Sequence, residues 1–254
     1  MPAMYLHGWA SGPTSAKGAI LAKHLAASGV RLRVPDLNRP SFERLTYSAA
    51  LRAIDEEVAG TSSAAERWDL IGSSMGGYLA ARWAELHPAR VRRLVLLCPG
   101  FDLLNRLPVV FGDAQLYERW ERDGVFRPGY GPDGARTRLL WDFVLDARRH
   151  PPRPRLAHPT LIVHGRADEV IPVESSRMAA RSARLGVVRV VELDDAHDLL
   201  RSSARVASLA HAWLGAPVPR GGTEAVAGAL AVAQCGDDCL SLIHISEPTR
   251  LGMI

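Results

Sequence analysis

Between Met4 and Leu214 the chain alternates short apolar runs with stretches whose apolar residues recur at helical spacing. That order predicts βαβ units and a parallel sheet covered by helices. The runs are Met4–Leu6, Val30–Val34, Trp68–Ile71, Leu94–Leu97, Thr160–Val163 and Val187–Leu193. Apolar runs of this length suit strands buried on both faces. Ala16–Ser28 reads as a helix ended by Gly29, and Ser48–Val58 as a second. Met75–Glu85 reads as a third, stopped by Pro88.

Pro99–Ala157 breaks the rhythm. A structureless loop of that length is improbable in a compact domain, so a small helical cap is expected there. Its helices are placed at Asp113–Arg122 and Gly134–Arg149, around a Gly/Pro-rich turn at Phe126–Asp133. Its aromatics (among them Phe111, Tyr117, Trp120, Trp141 and Phe143) can line a substrate pocket or form the cap's own core. After Leu214, Gly215–Gly222 reads as a linker and Thr223–Ala233 as low complexity. Leu240–Arg250 (LSLIHISEPTR) back-translates to a sequencing-adaptor sequence and is read as non-native.

With 254 residues and 47% hydrophobic content, one domain can bury a substantial core. The net charge of +4 is carried almost wholly by arginine, Lys17 and Lys23 being the only lysines. The basic residues do not cluster with aromatics, which argues against nucleic-acid binding. No signal peptide and no membrane-spanning run are seen. Cys98, Cys235 and Cys239 do not form a disulfide framework, and a reducing, cytoplasmic setting is expected. The spacing of the last two is a weak metal signal, and neither metal nor cofactor is expected.

Four motifs carry chemistry. Gly72-Ser73-Ser74-Met75-Gly76 follows an apolar run and opens a helix. This is a G-x-S-x-G elbow in its strand–turn–helix context, with Ser74 as candidate nucleophile. A side chain two residues either side of the serine would collide with the turn, hence Gly72 and Gly76. His7-Gly8-Trp9 closes the first strand. An oxyanion hole needs two convergent backbone N–H groups, and Trp9 and Met75 occupy the expected places. His7 then ties down the loop rather than acting as a base. In His164-Gly165-Arg166-Ala167-Asp168, the carboxylate of Asp168 can orient a histidine, with Asp102 as the alternative acid. Glu169 reads as an exposed carboxylate. Finally, Asp194-Asp195-Ala196-His197-Asp198 follows the last strand and supplies His197 as candidate base. His24, His87, His150, His158 and His211 have surface or cap explanations.

These motifs resemble the α/β-hydrolase superfamily over about Met4–Leu214. YLHGWASGPTSAKG, VPDLNRPSFERLT and IGSSMGGYLA resemble a compact bacterial esterase branch. The cap and HGRADEVIP resemble palmitoyl-thioesterase and acyl-glucuronide-esterase relatives. The resemblance implies a sheet of about six mostly parallel strands, lacking the usual first two, with Trp9 and Met75 as oxyanion donors. It departs from the larger lipase pattern in having no HGGG loop. The implied organisation is a core of 1–98 and 158–214, a cap of 99–157, and a linker and tail of 215–254. The expected reaction is acyl transfer through Ser74, Asp168 and His197 on a small-molecule acyl substrate, an ester or thioester. Fold and triad alone also admit an acyltransferase, a C–C hydrolase or a perhydrolase, or a non-catalytic binding module.

Overall fold

The computed structural model describes residues 1–60, 66–132 and 136–215; Cys235, Cys239 and the adaptor-like 240–250 lie outside the described residues. Every expected apolar run contains a strand. They are β1 (Ala3–Leu6), β2 (Leu32–Arg33), β3 (Trp68–Ser73) and β4 (Val91–Leu97), then, after the separate hairpin β5 (Val125–Phe126) and β6 (Leu139–Leu140), β7 (Thr160–Gly165) and β8 (Val188–Leu193). The main sheet has six strands in the order β2-β1-β3-β4-β7-β8. Its pairings are all parallel.

Alternation along the strands explains why the runs are apolar throughout. Met4, Leu6, Leu70, Leu94, Leu96 and Ile162 enter one core cluster, whereas Tyr5, Ile71, Val95, Leu97, Leu161 and Val163 enter another. Successive side chains point to opposite faces, and both faces are covered. Helix α1 (Ala16–Ala26) and α8 (Ser203–Gly215) supply Leu21, Leu25, Val206, Leu209 and Trp213 to the second cluster. Helices α2 (Tyr47–Ala59), α3 (Met75–Leu86) and α7 (Val173–Ser182) line the first. Two of these starts are fixed by side-chain caps: Ser15 Oγ accepts from Gly18 N, and Thr46 Oγ1 from Ala49 N.

The run Val30–Val34 yields only the two-residue strand β2, which pairs with β1 alone. As an edge strand it exposes Arg31 and Arg33, and the charges blunt the open edge.

Between β4 and β7 the expected helix Asp113–Arg122 is found as a helix starting at Leu116, whereas the expected Gly134–Arg149 is not found as one helix. This segment contains α4 (Leu103–Val110), α5 (Leu116–Asp123), the β5–β6 hairpin and the short α6 (Asp142–Ala147). Pro108 makes α4 unreadable as a helix, because proline cannot donate to the carbonyl of residue 104. Tyr117 O–H donates to that same Leu104 carbonyl and satisfies it from α5. In the described part of the expected helix Gly134–Arg149, residues 136–149, the chain instead forms β6 followed by α6. Pairing of Val125–Phe126 with Leu139–Leu140 takes the backbone groups that a longer helix would use.

Aromatic packing organises this segment. Trp120 is buried, donates through Nε1 to Leu139 O at 3.0 Å and stacks on Phe143. Phe126 and Trp141 pack on the same ring. Trp120, Trp141 and Phe143 are therefore packing residues. Trp120→Ala is expected to cost about 3–5 kcal/mol, the usual range for emptying a buried aromatic site. The check is the urea midpoint, which should fall with the slope unchanged. Among the described residues no helix is long and apolar enough to cross a membrane.

Candidate active site

In a parallel sheet all strands end at the same rim, which is how residues far apart in sequence meet. Register aligns Leu6 with Gly72, Ser73 with Leu97, Leu97 with Val163 and Gly165 with Leu193. The turns after β1, β3, β4, β7 and β8 thus emerge side by side.

Ser74 sits between β3 and α3 with φ 54° and ψ −120°, a conformation that L-residues seldom adopt. Backbone bonds hold it: its N–H donates to Leu97 O, and its carbonyl accepts from Gly77, Tyr78 and Gly100. The turn is tight enough that a Cβ on Gly76 would lie 2.1 Å from Leu6 O, and one on Gly72 2.3 Å from Gly76 O. Gly8 lies against the same turn, where an added Cβ would stand 3.4 Å from Ser74 Cβ. Met75 is the first residue of α3, where a backbone N–H has no partner within the helix. Trp9 follows Gly8, its ring packed against Phe42, Phe111 and Tyr130. His7 is fully buried; its Nδ1–H donates to Gly8 O and its Nε2 accepts from Leu37 N. Burial lowers the His7 pKa, so the ring stays neutral and ties the loop to the segment after β2.

His197 lies in the turn after β8. Its Nε2 is 2.9 Å from Ser74 Oγ and its Nδ1 is 2.7 Å from Asp168 Oδ2. The carboxylate fixes the tautomer: Nδ1 carries the proton, and Nε2 is left to accept from the Ser74 hydroxyl. The turn approaches so closely that a Cβ on Gly165 would meet Asp195 O at 2.3 Å. Asp195 braces it through bonds from Ala196 N and Ser202 N.

Asp168 Oδ1 accepts from the N–H groups of Val170 and Ile171. Burial alone would raise its pKa, but hydrogen bonds from His164, His197 and Ile171 hold the carboxyl well below its usual range. Asp102, the alternative acid, points elsewhere, pairing with Arg153 at 2.7 Å. Glu169 is exposed.

Three residues to which the motifs gave no role of their own lie around these side chains. Lys17, from α1, donates to Ser73 Oγ at 2.9 Å beside Ser74. Burial lowers its pKa, opposed by the charges of Asp168, Asp195 and Asp198. Cys98 is buried beside Asp168, and burial pushes its thiol pKa up. His164, at the end of β7, contacts Asp168 directly. The signal that could have found it is its position, a polar residue at the end of an apolar strand. Donor atoms of Cys98, Asp168 and His197 lie within 4.8 Å of one another. The 2.7 Å between Asp168 Oδ2 and His197 Nδ1 fits a shared proton but not two ligands of one ion, each about 2 Å from it at an open angle. A cavity of about 190 Å³ opens beside Gly100, lined by Tyr47, Tyr78, Leu103 and Pro152 among others, and none of the triad lines it.

A parallel sheet with a serine, an aspartate and a histidine at its carboxyl rim, in that strand order, is the α/β-hydrolase fold. Residues 3–211 match the model of UPF0227, an uncharacterised protein family, and the chain belongs to it. Its sequence is also similar to a 2-hydroxymuconate semialdehyde hydrolase of Pseudomonas sp. (strain CF600). The two are 27% identical over 207 residues, covering 69% of this chain and 73% of that protein. Among solved structures, a putative hydrolase from Agrobacterium vitis S4 superposes with a TM-score of 0.70 at 20% identity, over 84% of this chain and 87% of that one. A monoacylglycerol lipase from Paleococcus ferrophilus superposes with a TM-score of 0.65 at 17% identity, over 83% and 94%. At these identities the structural likenesses concern the fold.

Proposed function

We propose that the protein is a serine hydrolase that cleaves a carboxylic ester or thioester of a small or medium acyl group through an acyl-enzyme. The observation that carries this reading is the unbroken relay from Ser74 Oγ through His197 to Asp168, at 2.9 Å and 2.7 Å. His197 Nε2 takes the hydroxyl proton as Ser74 Oγ bonds to the substrate carbonyl carbon. The N–H groups of Met75 and Trp9 receive the oxyanion. The imidazolium then gives its proton to the leaving alcohol or thiol, and the acyl–Oγ bond remains. Water, deprotonated by the same nitrogen, then attacks the acyl carbonyl carbon; the C–Oγ bond breaks, the acid leaves, and the imidazolium returns its proton to Ser74 Oγ. Asp168 stays ionised throughout and stabilises the imidazolium.

The sequence relative favours a second reading, because its name describes a hydrolase of a semialdehyde rather than of an ester. The test is a fluorophosphonate probe followed by peptide mapping, with a panel of p-nitrophenyl esters, acyl thioesters and 2-hydroxymuconate semialdehyde. A label on Ser74 and turnover of esters or thioesters is the expected result. A label with turnover of the semialdehyde alone shifts the assignment to C–C cleavage. Folded protein that takes no label at Ser74 sinks the nucleophile.

A further inference from the structure

We propose that His164 is a positioning residue for this site, a second imidazole whose Nε2–H shares Asp168 Oδ2 with His197 and sets how strongly that carboxylate holds the His197 proton. The inference rests on the triad reading above.

The contacts around His164 leave one tautomer. Its Nε2 lies 2.8 Å from the Ile171 carbonyl and 3.1 Å from Asp168 Oδ2. Both are acceptors, so Nε2 must carry a proton. Its Nδ1 lies 2.7 Å from Ser176 Oγ on α7, which donates to it. His164, Ser176 and the Asp168 side chain are all fully buried. No solvent can replace a missing partner here, and a buried acceptor left unpaired is costly.

Asp168 thereby meets four N–H groups: two from the backbone at Oδ1 and two from imidazoles at Oδ2. The sharing at Oδ2 matters for chemistry. A carboxylate oxygen that already faces one N–H, here one divided between Asp168 Oδ2 and the Ile171 carbonyl, is a weaker base toward the next. His164 therefore limits how tightly Asp168 stabilises imidazolium at His197, and it also locks the rotamer that aims Oδ2 at Nδ1. The other ionisable groups facing the carboxylate come from different elements: the Cys98 thiol after β4, and the Lys17 ammonium from α1. Asp195 and Asp198 lie on the His197 turn. None of these is changed by substitution at His164.

Removing the Nε2–H leaves Oδ2 more basic, so the His197 imidazolium persists to higher pH. In His164→Phe the acid limb of the kcat/KM profile should move up by roughly half to one pH unit. Turnover should fall by roughly 10- to 100-fold with KM little changed, the range for losing a hydrogen bond to a charged group. His164→Gln, whose amide N–H can reach the Nε2 position, should restore both. A role confined to packing lowers stability without moving the limb. NMR of histidine-labelled protein provides a readout that needs no substrate. The His197 ring should titrate at higher pH in His164→Phe, and wild-type His164 should be the Nε2–H tautomer. A folded His164→Phe with an unmoved His197 titration overturns the inference. So does a wild-type His164 protonated only on Nδ1, a result that stands even if the apolar variant does not fold. Failure of Ser74 to label, by contrast, counts against the hydrolase reading and leaves these NMR results intact.

Discussion

Ser74→Ala is expected to reduce ester turnover about a millionfold and Asp168→Asn about 10⁴-fold, with both proteins folded. On the proposed mechanism the serine variant loses the nucleophile outright. The asparagine variant keeps the shape but offers Oδ1 and an NH₂ group. If the amide turns its NH₂ toward His197, the imidazole must present Nδ1 as acceptor, and Nε2 then carries the proton that should have come from Ser74. If it turns the other way, the NH₂ faces the N–H groups of Val170 and Ile171, which the structure shows donating to this carboxylate. Neither orientation satisfies every partner. Asp102→Asn is the control: it loses only a partly exposed pair with Arg153, so turnover should change by less than about threefold. A large loss in Asp102→Asn with retained turnover in Asp168→Asn would falsify the acid assignment. Stability should depend on pH in the same pair of proteins. The folded Asp168 carboxyl lies below its ordinary 3.8, so its contribution is present above that pH and is lost as pH falls toward the folded value. The stability gap between wild type and Asp168→Asn should shrink as pH falls below about 4.

Much of the sheet was legible because its signal is local. Six apolar runs marked six strands, and a parallel sheet sends every strand end to one rim, so Ser74, Asp168 and His197 each needed only to follow a strand to be candidates for meeting there. What was not legible depends on partners distant in sequence. No helix is expected at Leu103–Val110, where the Leu104 carbonyl that Pro108 cannot serve finds its donor only in Tyr117 of another helix. Gly134–Arg149 reads as a helix until β5 arrives to pair with Leu139–Leu140. Val30–Val34 contains a strand, but only tertiary placement says that it is an edge, where two residues suffice. His164 is hidden for the same reason. It stands in the same motif as Asp168, but its contacts with Ser176 and Ile171 exist only after α7 has packed on the sheet.

Gly76→Ala should prevent the protein from reaching its native state, or destabilise it by more than about 4 kcal/mol. The added methyl would sit 2.1 Å from Leu6 O and 2.5 Å from His7 O, both backbone atoms at the end of β1. Flexible side chains can yield to such a contact, but these atoms cannot. Leu6 is paired with Gly72 inside the sheet, and His7 is pinned by its bonds with Gly8 and Leu37. To relieve the clash, α3 must lift away from the strands. It carries Tyr78, Leu79 and Trp83 into the core, so lifting exposes large buried side chains. The same motion drags Ser74 and the Met75 N–H off the rim, so any folded fraction should label poorly with fluorophosphonate. Gly12→Ala is the matched control, since a Cβ there meets nothing within 4 Å, and its effect should stay within about 0.5 kcal/mol. Should Gly76→Ala unfold at the wild-type urea midpoint, α3 cannot lie against β1 as described. The elbow would then be set by something other than the close approach of two backbones.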